Sequence, residues 1–66
     1  MNITLNGNTK SFQEISTISD LLHSLELSPG TVVVELNTTI IQPDFYSSTT
    51  LAESDQVEII RFVGGG

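Results

Sequence analysis

Three consecutive glycines, Gly64–Gly66, follow directly on an apolar run that begins at Val57. Glycine has no side chain to pack into a core, so the α-carboxylate of Gly66 would stand on a thin arm. The pattern predicts a folded domain over residues 1–63 and a flexible tail over residues 64–66. The same glycines are also typical of a frayed end or a linker remnant, and the tail alone does not decide between these interpretations.

The chemistry open to such a tail is activation of its carboxylate by another protein. A terminal carboxyl group has a pKa of about 3.5, so at neutral pH it is an ionised and poor electrophile. A mixed anhydride with AMP would make the carbonyl carbon of Gly66 attackable, and a sulfur nucleophile would then leave a thiocarboxylate. Gly64 and Gly65 would thread a narrow channel, because they adopt many backbone conformations without side-chain clashes.

No other residues form a catalytic or metal-binding pattern. His23 is the only histidine, and the sequence has no cysteine for a disulfide or a cysteine metal site. The eight Asp and Glu residues are scattered, and neither a P-loop nor a dinucleotide fingerprint occurs. We therefore expect a protein that is not itself an enzyme, binds no cofactor or metal, and is acted on by partner enzymes.

The charge indicates which partners to expect. The net charge is −6, and Lys10 and Arg61 are the only basic residues besides the histidine. Such a surface repels phosphate groups, so we expect no nucleic acid and no membrane as partners, but basic proteins instead. Solubility alone would explain the charge as well. No signal-like segment or bilayer-length apolar run is visible, so we expect a cytoplasmic location, with a plastid stroma as the alternative.

The hydrophobic pattern predicts an α+β domain with one main helix packed on one face of a mixed sheet of four or five strands. An alternating segment before Asn6-Gly7 predicts a hairpin, whose return strand covers 9–14 with Phe12 in the core. Thr17 and Asp20 predict a weakened capping box at the start of the helix. The first and last strands should pair in parallel at the centre of the sheet. The remaining predicted elements are a helix over 18–27 and strands over 31–37, 40–41 and 56–63.

The last predicted strand carries apolar side chains on both faces. If the helix covers Val57 and Ile59, the neighbouring side chains lie on the opposite, open face of the sheet. The side chains expected there are Val33, Ile60 and Phe62. An exposed apolar group on a small acidic domain predicts a docking surface. The alternatives are that the strand is buried on both sides, or that Phe45 and Tyr46 fold over this face.

Four segments carry a resemblance to a known family: Val34-Glu35-Leu36-Asn37, then Ile40-Ile41 with Pro43, then Leu51 to Ile60, then Phe62 to Gly66. In these segments and in its order of elements, the chain resembles the β-grasp sulfur carriers, and among them the thiamine-biosynthesis type, the ThiS family. Two positions depart from the family pattern. Asp44 stands where a basic residue is common, and Ser54 stands where glycine is usual.

This resemblance implies a ubiquitin-like β-grasp fold and the function of a sulfur carrier in thiamine biosynthesis. It implies that an E1-like adenylyltransferase of the ThiF type consumes ATP to adenylate Gly66. A cysteine desulfurase would supply the sulfur indirectly, and the thiocarboxylate would deliver it to a thiazole synthase of the ThiG type. Gly65 matches the family's di-glycine and would help to thread the tail.

Three other functions remain open at this point. The first is a related sulfur carrier, the small subunit of molybdopterin synthase, although those chains tend to be longer and the Phe62-Val63 segment before the glycines is more similar to the thiamine type. A ubiquitin-like protein modifier would be joined to lysines through Gly66, although Lys10 is the only lysine available for chain building. A non-catalytic interaction domain with an inert tail is the third alternative.

Overall fold

The computed structural model describes residues 1–62, so Val63 and the tail predicted over 64–66 lie outside the described residues. Within residues 1–62, one α-helix packs on a five-stranded mixed sheet with the strand order β2-β1-β5-β3-β4. The elements are β1 (Asn2–Leu5), β2 (Asn8–Ser11), α1 (Ile18–Ser24), β3 (Val32–Leu36), β4 (Thr39–Ile41) and β5 (Gln56–Arg61). The predicted fold class is therefore confirmed.

The first hairpin forms as predicted but its second strand is shorter. Asn6 and Gly7 have φ values of 48° and 84°, the positive values that a tight hairpin turn requires. β2 ends at Ser11 instead of residue 14, and Glu14 has a φ of 58°, which no extended strand contains. As a result Phe12 is only half-buried, and Ile15 is the buried residue of this segment.

The capping box predicted at the start of α1 is present. The Asp20 N–H donates to Thr17 Oγ1 at 3.2 Å, and the Thr17 N–H donates to Asp20 Oδ2 at 3.0 Å. The Ser16 N–H donates to the same carboxylate oxygen at 2.8 Å. These main-chain donors, that of Ser16 first, hold the pKa of Asp20 below its ordinary value.

The helix ends earlier than its apolar pattern predicts. α1 ends at Ser24 with Leu25 as its C-cap, because Glu26 adopts a φ of 58°, outside the helical region. The predicted helix over 18–27 was therefore too long at its C-terminus. Leu25 and Leu27 still pack against the core from the segment that follows the helix.

β5 lies at the centre of the sheet, as predicted. It pairs in parallel with β1 and antiparallel with β3. The core fills the space between this sheet and α1, and β5 contributes Val57 and Ile59 to it. The other buried core residues are Ile3, Leu5, Ile15, Ile18, Leu21, Leu22, Val32, Val34, Tyr46 and Leu51.

Candidate docking face and the strand that leads to the tail

The three residues predicted on the open face lie on adjacent parts of β3 and β5. Val33 is directly opposite Ile60 in the antiparallel ladder, and directly opposed residues share one face of a sheet. Phe62 lies two residues beyond Ile60 and therefore points to the same side. The Phe62 N–H donates to the carbonyl of Thr31 at 2.9 Å, which continues the β5–β3 pairing to this residue. We call Val33, Ile60 and Phe62 the apolar patch.

The apolar patch is uncovered in the part of the chain that the structure describes. Ile60 is 56% exposed and Phe62 is 64% exposed, whereas Val57 and Ile59 of the same strand are 1% and 7% exposed. The predicted division of faces is thus confirmed. Tyr46 does not fold over the patch, since it belongs to the core on the helix side of the sheet.

Tyr46 is held in that position by a main-chain contact with the helix. The Ser19 N–H donates to the Tyr46 carbonyl at 3.0 Å. Burial of the side chain, which is 2% exposed, raises the pKa of the Tyr46 hydroxyl, and a main-chain contact with Val34 offsets this in part. The alternative in which Tyr46 covers the docking face is therefore wrong.

Two carboxylates adjoin the apolar patch on the same face. Glu35 is directly opposite Glu58 in the β3–β5 ladder, one pleat away from the pair of Val33 and Ile60. Like charges at directly opposed positions destabilise a sheet, so this pair does not contribute to the stability of the fold. Both side chains line a shallow concavity, which is completed by Thr4, Gly7, Thr38, Gln56 and Val57.

Sequence reasoning missed these two carboxylates as part of the candidate site. The alternation of side chains along a strand does indicate their face. Glu35 is two residues from Val33, and Glu58 is two residues from Ile60, so each points to the same face as that neighbour. Alternation alone does not show that Glu58 lies directly opposite Glu35, because that depends on the register between the two strands. The docking face thus combines an apolar patch with a negative charge pair.

A second residue that sequence reasoning assigned only to a turn also anchors β5. Asn6 Oδ1 accepts a hydrogen bond from the Ile59 N–H at 2.8 Å, and Asn6 Nδ2 donates to the Ile59 carbonyl at 3.3 Å. Its own N–H donates to the Val57 carbonyl at 2.9 Å. The Asn6 side-chain amide thus makes the two hydrogen bonds to β5 that a further residue of β1 would have made. No local sequence pattern could reveal a contact across 53 positions.

The remaining candidates show no further chemistry in the described residues. His23 is exposed on α1, and no group of three His, Cys, Asp or Glu residues within 1–62 could hold a metal ion. No helix in that range is long and apolar enough to span a membrane. Gly64, Gly65 and Gly66 lie outside the described residues, so the structure leaves their predicted roles untested.

The five-stranded mixed sheet in the order β2-β1-β5-β3-β4, with one helix on one face, is that of a β-grasp domain, and its central strand precedes the glycines in the sequence. The model of the ThiS family matches residues 3–66, and the chain therefore belongs to the ThiS family. The sulfur carrier protein ThiS of Bacillus subtilis is 42% identical over 65 residues, which are 97% of this chain and 98% of that protein.

Two further similarities are consistent with membership of this family. The crystal structure of a thiamine biosynthesis protein (ThiS) from Geobacter metallireducens matches with a TM-score of 0.84, at 33% identity and with both chains fully covered. A thiazole synthase of Magnetococcus marinus is 36% identical over 66 residues. This chain spans only 20% of the length of that synthase.

Proposed function

We propose that this chain is a sulfur carrier of thiamine biosynthesis and that Gly66 carries the sulfur as a thiocarboxylate. The observation that supports this best is the similarity to the sulfur carrier of Bacillus subtilis over 97% of this chain and 98% of that protein. The family match also includes Gly66 itself. The proposal takes Gly66 as the final residue, with a free α-carboxylate.

The chemistry requires two displacements, each performed by a partner enzyme. On an E1-like adenylyltransferase of the ThiF type, a carboxylate oxygen of Gly66 attacks the α-phosphorus of ATP and pyrophosphate leaves. Sulfide then attacks the carbonyl carbon and AMP leaves with the former carboxylate oxygen, so that sulfur replaces one oxygen of the carboxylate. The sulfur derives indirectly from a cysteine desulfurase. Gly64 and Gly65 supply a backbone narrow enough to enter the active site of each partner.

The apolar patch is the surface through which the carrier would bind these enzymes. Ile60 and Phe62 are each more than half exposed, and apolar side chains are enriched at the centres of protein interfaces. They stand on the strand that leads to the glycines, so a partner that covers the patch also receives the tail. One face can serve several enzymes in turn because contacts on this scale remain reversible.

The proposed sulfur acceptor is a thiazole synthase of the ThiG type. The similarity of this whole chain to one fifth of the Magnetococcus marinus thiazole synthase supports the pairing, as does the similarity to a second thiazole synthase, from Paramagnetospirillum magneticum, at 32% identity. A carrier-like segment inside a chain of that name is expected if the carrier and the synthase work together.

One added residue tests the role of the terminal carboxylate. An extra alanine after Gly66 moves the carboxylate away from the position at which it would be activated, so adenylation and sulfur uptake should be lost. The matched control is Gly30→Ala, which adds a methyl group where no atom lies within 4 Å and should react like the unmodified protein. Normal sulfur uptake by the extended protein would contradict the proposal.

A further inference from the structure

The edge of β5 that faces β1 has main-chain hydrogen-bond partners along part of its length and none, among the described residues, beyond it. In the β3–β5 ladder, the Asn37 N–H donates to the Gln56 carbonyl at 2.8 Å, and the Phe62 N–H donates to the Thr31 carbonyl at 2.9 Å. Even-numbered residues of β5 therefore direct their main-chain groups to β3. Odd-numbered residues direct theirs to the β1 side, because hydrogen-bonding direction alternates along a strand.

On that side, the first two odd-numbered positions have partners. The Val57 carbonyl accepts from the Asn6 N–H at 2.9 Å, and Ile59 is bonded through both of its main-chain groups by the Asn6 side chain. The next position is Arg61, which lies about 7 Å further along the strand. β1 pairs with β5 only as far as Leu5 opposite Val57, so it does not reach Arg61.

Arg61 thus ends the described strand with an N–H and a carbonyl that face the β1 side and have no hydrogen-bond partner among residues 1–62. On the β3 side, Val32 lies directly opposite Arg61. These two residues form one of the antiparallel pairs that exchange no hydrogen bonds.

We propose that the main-chain N–H and carbonyl of Arg61 receive an extended main-chain segment of the thiazole synthase, which adds to the sheet where β1 ends. The inference rests on the proposed function, in which this enzyme takes in the residues after β5. A donor and an acceptor in strand geometry are matched by another extended backbone, which offers both groups at the same spacing.

The structure also indicates why the contact would be made at this position. Arg61 is exposed, so its groups are hydrated in the free protein and lose water only when a partner closes over the chain. If that partner offered no hydrogen bonds in exchange, desolvation would oppose binding. The Asn6 side chain already bonds the N–H and the carbonyl of Ile59. The added strand can therefore begin only beyond Ile59.

The test removes one hydrogen-bond donor without changing any side chain. The 66-residue chain is within reach of chemical synthesis, so the amide N–H of Arg61 can be replaced by an ester oxygen. The matched control places the ester at Thr9 on β2. Met1 and Phe12 exchange hydrogen bonds at 3.0 and 2.8 Å, so Thr9 directs its N–H away from β1, at the opposite edge of the sheet.

Binding of both esters to the thiazole synthase of the same organism is measured by calorimetry. We expect the Arg61 ester to bind at least about fivefold more weakly than the unmodified chain, and the Thr9 ester to bind equally well. The melting temperature of the Arg61 ester should match that of the Thr9 ester, because neither N–H has a partner among residues 1–62 and each ester weakens one ladder carbonyl, that of Ile60 or that of Asn8.

Three results would overturn the inference. If the unmodified chain takes up sulfur and binds the synthase, equal binding of the two esters would refute the added strand. The proposed function would remain intact. A melting temperature markedly lower for the Arg61 ester than for the Thr9 ester would show that the Arg61 donor is already used inside the protein. Failure of the unmodified, sulfur-loaded chain to bind the synthase would remove both the inference and the proposed acceptor.

Discussion

Truncation of Ile60 to alanine should weaken partner binding and should cost much less folding free energy than the same truncation of Ile59. The two isoleucines are adjacent on β5, so each variant loses the same atoms and the same strand propensity. Ile59 is 7% exposed and faces the helix, whereas Ile60 is 56% exposed and faces outward. The pair therefore separates the contribution of the core from the contribution of the docking face.

The expected magnitudes follow from these exposed fractions. Ile59→Ala should cost about 3 kcal/mol, a large part of the total stability of a domain of this size. For Ile60 the buried fraction is 100% − 56% = 44%, so truncation should cost about 1 kcal/mol of folding free energy. A partner that covers the exposed remainder would lose about 1 kcal/mol of binding, which raises Kd about fivefold.

Urea unfolding followed by circular dichroism gives the stabilities, and calorimetry with the thiazole synthase gives the affinities. If Ile59→Ala leaves too little native protein to measure, the matched pair Ile59→Val and Ile60→Val takes its place, with an expected folding cost of about 1 kcal/mol for the first and less than half of that for the second. The reasoning is refuted if Ile60→Ala destabilises folding as much as Ile59→Ala does. It is equally refuted if Ile60→Ala leaves the affinity unchanged.

Further predictions concern the turn between β3 and β4 and the pH dependence of stability. Thr38 has a φ of 74°, which strains a β-branched residue, so Thr38→Gly should raise the melting temperature by about 2 °C in calorimetric scans; a fall would contradict this. The raised pKa of Tyr46 gives stability that is complete below the unfolded pKa of about 10 and is lost as pH rises through the folded value. Urea midpoints should therefore fall above pH 10, and less so in Tyr46→Phe. The lowered pKa of Asp20 contributes stability that is complete above about pH 4 and is lost as the pH falls through the pKa of the folded protein. Urea midpoints should therefore fall in acid, and less so in Asp20→Asn. Midpoints of Asp20→Asn that fell as steeply as those of the original would contradict the role of the capping box.

The parts of the fold that depend on local patterns could be predicted from the sequence. The Asn6-Gly7 hairpin, the capping box of Thr17 and Asp20, and the division of β5 into a buried and an open face all follow from short-range spacing. The apolar patch was predicted for the same reason, because period-two alternation fixes which side chains share a face.

The errors occurred where a single residue leaves the regular backbone conformation. Glu14 and Glu26 both adopt positive φ values, and each ends an element that the apolar pattern would extend. Glutamate gives no signal for this conformation, since it is not one of the residues that favour it. The early end of β2 also explains why Ile15, and not Phe12, is the buried residue.

Contacts between distant segments were also beyond the reach of sequence patterns. The pairing of Asn6 with Ile59 and the opposition of Glu35 and Glu58 depend on the register of the assembled sheet. One departure from the family pattern is explained by the structure instead. Ser54, where the ThiS family commonly has glycine, has a φ of 71°, a conformation that glycine adopts without strain.

The most direct test of the central claim is the intact mass of the protein after incubation with ATP, a ThiF-type adenylyltransferase and sulfide. Replacement of one carboxylate oxygen by sulfur should add about 16 Da, and fragmentation should locate the gain on Gly66. An unchanged mass, with an adenylyltransferase shown to be active on another carrier, would contradict the assignment of this chain as a sulfur carrier.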